Sequence, residues 1–277
     1  MLARNEGPIA APEKFFHLEC VEQASQTAAA DAAWPGVPDI ALGSIIGSNV
    51  VNILLIIGLS ALIWPIKVMG ATLRRDTAVM MTAAVVLAPV FAMGQLGRLS
   101  GQILVAGLAT YLIWAYRQPS GMEAVGVGIP APALALVSTL WIIGGLVALM
   151  VGARFLVDGA VSIAHGYGIS ETLIGLTIVA VGTSLPELTT SLIAAFRRQS
   201  EIAIDDIVGS NIFNVLGILG VTASIPVASR FLTFDLPVMI AVSLILTALL
   251  LTRPVIGRGI GLAMLAGYVA YVWTAQG

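Results

Sequence analysis

Residues 173–195 read LIGLTIVAVGTSLPELTTSLIAA. The stretch is apolar enough to cross a bilayer, which takes about 20 mostly apolar residues. Its middle nevertheless holds Gly182, Thr183, Ser184, Leu185, Pro186 and Glu187. Proline has no backbone N–H and pushes the residue before it out of helix. A carboxylate at bilayer depth costs about 2.5–3.5 kcal/mol even on insertion scales. A kink tied off by hydroxyls accounts for Pro186, Thr183 and Ser184, as in many membrane helices, but it does not account for Glu187. Freed carbonyls, two hydroxyls and an acid in six residues are the oxygens a hard cation takes, so this span is read as a cation site.

Of the 277 residues 58% are hydrophobic and 10% charged, which makes the chain a polytopic membrane protein in contact with lipid. A net charge of −2 without a basic run argues against nucleic-acid binding. The one cysteine, Cys20, rules out an internal disulfide framework, and His17 and His165 have no metal-ligand spacing.

Eight apolar segments are predicted to span, at about 40–64, 76–94, 101–116, 133–155, 171–196, 202–225, 235–251 and 257–274. Residues 1–38 are polar, lack the apolar core of a signal peptide, and are expected to form a disordered or surface-lying tail. Cations favour one set of loops: Lys67, Arg74, Arg75, Arg117, Arg197, Arg198, Arg253 and Arg258. The positive-inside rule makes that face cytoplasmic and puts both termini outside.

Self-comparison gives the strongest signal. Asp39–Ile63 reads DIALGSIIGSNVVNILLIIGLSALI, and residues 201–225 read EIAIDDIVGSNIFNVLGILGVTASI. They align without a gap, with about half the positions identical. Residues 76–88 and 235–250 also match, more weakly. The assigned orientation makes the copies run in opposite directions, an inverted repeat of the kind that places a transport site near the midplane. Ser48 and Asn52, like Ser210 and Asn214, are four apart and share a helix face. Gly43 and Gly47 form a GxxxG pair that helix packing explains equally well.

At GTSLPE followed by GSNIFN the chain resembles the cation/Ca2+ antiporter superfamily, in its bacterial sodium/calcium exchanger branch. The resemblance implies an all-α bundle of two inverted halves, each with a helix broken at GTSxPE and a second opening on GSN. Residues 39–132 would be a partial first half and 133–277 a complete second half. It further implies that Glu187 is the acidic Ca2+ ligand. Thr183 and Ser184 would give carbonyl and hydroxyl oxygens to Ca2+ and Na+, and Ala180 a carbonyl to Na+. Ser48 and Ser210 would serve outer Na+ sites, with Asn52 and Asn214 flanking the centre. No cofactor is implied beyond the transported ions. Asp205 and Asp206 are read as helix N-terminal acids favoured by the dipole, the alternative being a cation-attracting vestibule.

One departure matters. The alignment sets residues 182–187 opposite residues 20–25, CVEQAS, with no proline and a serine in place of the glutamate. The first two family helices are then missing. A single glutamate leaves a divalent ion under-neutralised in a low-dielectric site. The expected activity is secondary Ca2+/Na+ antiport by alternating access, impaired by that loss. The alternatives are coupling to H+ or carriage of another divalent ion, and an inactive or truncated homologue with a structural role. An enzyme is not expected: neither Gly-x-Ser-x-Gly nor His-Glu-x-x-His occurs, and no histidine neighbours Thr183 or Ser184.

Overall fold

Two short strand pairs at opposite ends of the bundle define how the chain is threaded. A computed structural model describes residues 38–68, 71–117, 132–222 and 225–275. Among these residues nine helical pieces carry the fold: α1 (Asp39–Ile63), α2 (Ala71–Ala92), α3 (Arg98–Arg117), α4 (Pro132–Gly166), α5 (Thr172–Thr183), α6 (Leu185–Phe196), α7 (200–221), α8 (Phe231–Thr252) and α9 (Arg258–Ala275). Between them lie β1 (Ile66–Lys67), β2 (Gln95–Leu96), β3 (Ile225–Pro226) and β4 (Val255–Ile256).

β1 pairs antiparallel with β4, and β2 with β3. The registers match: Ile66 lies opposite Ile256, and Ile225 opposite Leu96. The 22-residue α2 separates β1 from β2 by roughly 33 Å. α1 runs into β1 and α7 into β3, which sits against β2. The two copies of the repeated helix therefore end at opposite ends of the bundle, the inversion read from the charge pattern. The packing obeys the same symmetry. A Cβ on Gly261 would lie 2.7 Å from the Gly58 carbonyl, and one on Gly101 2.5 Å from the Gly220 carbonyl. α9 thus rests on α1 as α3 rests on α7.

Among the described residues six helices are long and apolar enough to span a membrane, seven if α5 and α6 count as one bent span; α9 is a further 18-residue helix. α1 is the innermost, with 89% of its apolar window buried, against 22% for α3 and 17% for α4. Its apolar residues lie on every face, as suits a helix enclosed by others, and its polar residues Ser44, Ser48, Asn49, Asn52 and Ser60 are buried with them. α8 is tied to α9 by the buried Asp235, which pairs with Arg230 (3.4 Å) and accepts from Tyr271 Oη (3.4 Å).

One expected boundary needs correction. The fourth span was placed at 133–155, yet α4 continues to Gly166 over 35 residues. Residues 156–164 hold only Asp158 and Ser162 as polar groups, and Arg154 and Asp158 form an i,i+4 pair at 3.9 Å, so no proline or positive-φ glycine interrupts the helix before Gly168 at φ 70°. The all-α reading holds, and the strand pairs added to it are two residues long, too short to give a periodic signal. The expectations for residues 1–37, including the alignment of 20–25 with the broken motif, lie outside the described residues.

At one end of the bundle the cations collect. β1 and β4 bring Lys67 next to Val255, Arg258 donates to the carbonyls of Leu62 and Ile63 at 3.1 and 3.5 Å, and the Arg198 guanidinium stacks on Trp64 at 4.5 Å. Arg198 occupies the left-handed region at φ 61°. There it closes α6 in a Schellman turn, with Gln199 N donating to Ala194 O and Arg198 N to Ala195 O.

Candidate cation-binding site

The break in the fifth span falls where the proline requires it. Ser184, at φ −92° and ψ 9°, separates α5 from α6, which are bent by 49°. Pro186 then occupies the first turn of α6, where its missing N–H leaves no intrahelical bond unmade. Gly182 is required by its neighbour, because a Cβ there would lie 2.0 Å from the Val157 side chain of α4.

At this break the two halves meet. Ser48 Oγ lies 2.9 Å from Thr183 Oγ1 and donates to the Ala180 carbonyl at 3.4 Å. Thr183 Oγ1 donates to the same carbonyl at 3.1 Å. Three of the residues singled out from sequence are thus within hydrogen-bonding distance, across an interval of 135 positions. What permits it is Gly47: a Cβ there would sit 2.6 Å from Leu176 O and 2.8 Å from Ala180 Cβ. The GxxxG pair is therefore a packing element that brings α5 onto α1. Gly175 reciprocates, with the Ile40 carbonyl 2.7 Å from its virtual Cβ.

Ser184 and Glu187 are buried at 2% and 7% exposure. The segment bearing Glu187, Leu185–Phe196, packs against Val51–Ile56 of α1 and Ser200–Phe213 of α7, so the carboxylate is enclosed by protein. Asn52 and Asn214 lie in π-helical turns, Val51–Ile56 and Asn214–Ile218, at matching places in the two repeats. A π turn widens the helix and leaves backbone groups loosely paired, as is frequent at functional sites. Two such turns at equivalent positions are a feature that periodicity could not reveal.

The asparagines, two of which were expected to flank the centre, bond as follows. Asn52 Nδ2 donates to Oδ1 of Asn211, not to Asn214, at 3.0 Å. Asn211 Nδ2 in turn faces Met80 Sδ at 3.8 Å, and Asn49 Nδ2 returns to its own helix at Ile45 O, 2.7 Å. Asn214 and Ser210 are buried at 5% and 1% exposure. Asn52 Oδ1 and Ser210 Oγ, both buried, find no hydrogen-bond partner among the described residues. Among those residues no three His, Cys, Asp or Glu side chains come together. The oxygens gathered here are hydroxyl, amide and carbonyl, with one carboxylate.

The reading of Asp205 and Asp206 as dipole acids does not hold. The helix begins at Ser200, which puts both beyond the first turn, where the dipole acts. Asp205 is exposed, whereas Asp206 is buried one turn before Ser210 on the same face. Ser60 and Ser191 are also fully buried, and both went unremarked in the sequence. The i+4 spacing of Ser191 from Glu187 was the available signal.

A family model described as "Sodium/calcium exchanger protein" matches residues 25–117 and 137–276. The chain is 39% identical over 199 residues to the "Putative antiporter CaxA" of Alkalimonas amylolytica, covering 69% of this chain and 62% of that protein's length. It is 36% identical over 255 residues to the "Inner membrane protein YrbG" of Escherichia coli, covering 86% and 77%. Its fold is similar to the sodium-calcium exchanger NCX_Mj soaked with zero Na+ and Ca2+, at a TM-score of 0.70 and 31% identity over 92% of this chain and 82% of that one. The same exchanger soaked with 2.5 mM Na+ and 10 mM Sr2+ superposes at 0.69.

Proposed function

Because this chain belongs to the sodium/calcium exchanger protein family, we propose that it is a secondary antiporter that exchanges Ca2+ for Na+ by alternating access. The observation that carries the reading is the meeting of Ser48, Ala180 and Thr183 beside a proline break that buries Glu187. These are oxygens from both halves of an inverted repeat, closely spaced and shielded from lipid. Glu187 would bind Ca2+ or the counter-ions in turn, with Thr183, Ser184 and the Ala180 carbonyl completing the shell on one side. Ser48, Asn52, Ser210 and Asn214 would complete it on the other. The glycine contacts of α1 with α5 would let the site-bearing helices slide as one of the two access states gives way to the other. The cation-rich end of the bundle would face the cytoplasm of a bacterial inner membrane, with both termini outside.

The test is uptake of radiolabelled Ca2+ into vesicles driven by an outward Na+ gradient, expected to be lost in Glu187→Gln. Uptake that survives this substitution removes Glu187 from the mechanism. A second reading, coupling to H+, is favoured by the neutral side chains at Asn52 and Asn214, which leave Glu187 as the one acid at the centre of the described site. Uptake driven by a pH gradient in the absence of Na+ separates the two.

A further inference from the structure

Below the Glu187 level, towards the cation-rich end, a second tier of buried oxygens is present. Ser191 lies one turn beyond Glu187 on the same face of α6, and Asp206 one turn before Ser210 on the same face of α7. α6 and α7 are joined by a tight turn at Arg197 to Gln199 and run antiparallel, so Ser191 and Asp206 lie at one height, as Glu187 and Ser210 do at the next. α1 contributes Ser60. Asn52 sits near the start of the π turn Val51–Ile56, which takes up one extra residue before Ser60. The spacing of the two then acts as two α-helical turns and returns Ser60 to the face of Asn52.

The three segments concerned, Ile57–Ile63, Leu185–Phe196 and Ser200–Phe213, each pack against the other two. Ser60 and Ser191 are at 0% exposure, and neither hydroxyl has a hydrogen-bond partner among the described residues. Leaving a hydroxyl buried and unpaired costs about 1–3 kcal/mol. Two such hydroxyls on mutually packed helices, the third of which carries the buried Asp206, make a polar tier that side-chain packing does not explain. At the position matching Asp206 the first half has Ser44, so the acid is not a requirement of the repeated fold.

We propose that Ser60, Ser191 and Asp206 form a second cation station, on the cytoplasmic side of the central site, and that its ligand is a monovalent alkali cation, Na+. One carboxylate balances one positive charge, and two hydroxyls with local carbonyls supply a small oxygen shell. Ca2+ would need six to eight oxygens and more negative charge. The station rests on the exchange reading for its role, as a stopping point for Na+ between the central site and the cytoplasm, but its occupancy is independent of transport.

The test is equilibrium binding of radiolabelled Na+ to the purified full chain, in parallel with radiolabelled Ca2+ binding. Asp206→Asn and Asp206→Ser, the second copying Ser44, are each expected to bind one Na+ fewer per chain than the parent. Both are expected to retain Ca2+ binding and an unchanged melting temperature. In a Glu187→Gln background, adding Asp206→Asn is expected to remove the same single Na+. Equal Na+ stoichiometry in parent and both Asp206 variants overturns the proposal, as does loss of Ca2+ binding in step with Na+ binding. If the parent binds no Ca2+ and yet loses one Na+ through Asp206, the exchange reading fails and the station stands.

Discussion

Replacing Gly47 with alanine tests the geometry of the site at its tightest point. The added methyl would meet Leu176 O at 2.6 Å, Ala180 Cβ at 2.8 Å and Leu176 Cα at 2.9 Å. Two of those three atoms are backbone, so no rotamer change relieves the contact and α5 must retreat from α1 by roughly 0.5 Å in a core packed as densely as a crystal. Overpacking of this kind costs about 1–3 kcal/mol. For a chain of this size that lowers the melting temperature by roughly 3–10 °C. The same retreat lengthens the Ser48 to Thr183 contact of 2.9 Å and the Ser48 to Ala180 contact of 3.4 Å, the second of which is already at the limit of a hydrogen bond. Misplacement on that scale weakens a positioned site by up to about 100-fold. Graded controls are built in: a Cβ on Gly43 meets backbone at 3.2 Å, and one on Gly107 meets a leucine methyl at 3.9 Å. The expected order of loss, in thermal unfolding in detergent and in Na+-driven Ca2+ uptake, is Gly47→Ala, then Gly43→Ala, then Gly107→Ala, the last close to the parent. A Gly47→Ala protein as stable and as active as Gly107→Ala would refute the close approach of α1 and α5.

The left-handed Arg198 makes a second prediction: Arg198→Ala loses the stack on Trp64 and keeps the backbone strain, whereas Arg198→Gly loses the stack and relieves the strain. The glycine variant is therefore expected to be more stable than the alanine one by about 1 kcal/mol, read as melting temperature, and equal stabilities would remove the strain from the account. The inverted symmetry makes a third. Gly261→Ala and Gly101→Ala intrude on equivalent carbonyls, those of Gly58 and Gly220. Each is expected to destabilise by about 1–3 kcal/mol in denaturation assays, and a loss confined to one of them would show that the two halves are not packed alike.

How much of this was legible from residues alone differs between the fold and the site. Proline at 186 and glycine at 182 announced a broken span, and the chain breaks at Ser184 between them, because a missing N–H and an absent Cβ are local properties. The match of Asp39–Ile63 with residues 201–225, together with the charge bias of the loops, announced an inverted pair. The strand registers agree with it. Burial of Glu187 followed from the cost of an acid in lipid. These are the things the sequence by itself determined: breakers, periodicity and charge act within a turn or two of helix.

Tertiary structure alone decided which oxygens meet. Asn52 turned to Asn211 and not to Asn214, since a matched position in the repeat sets height along a helix, while rotation depends on the π turns at Val51–Ile56 and Asn214–Ile218. The same rotation brings Ser60 towards the face of Asn52, and the antiparallel run of α6 and α7 sets Ser191 level with Asp206. A helix turn with one residue too many leaves no mark in composition or hydrophobic period. It is decided by how the helix packs against its neighbours, whose backbones approach closely at Gly47, Gly175 and Gly261.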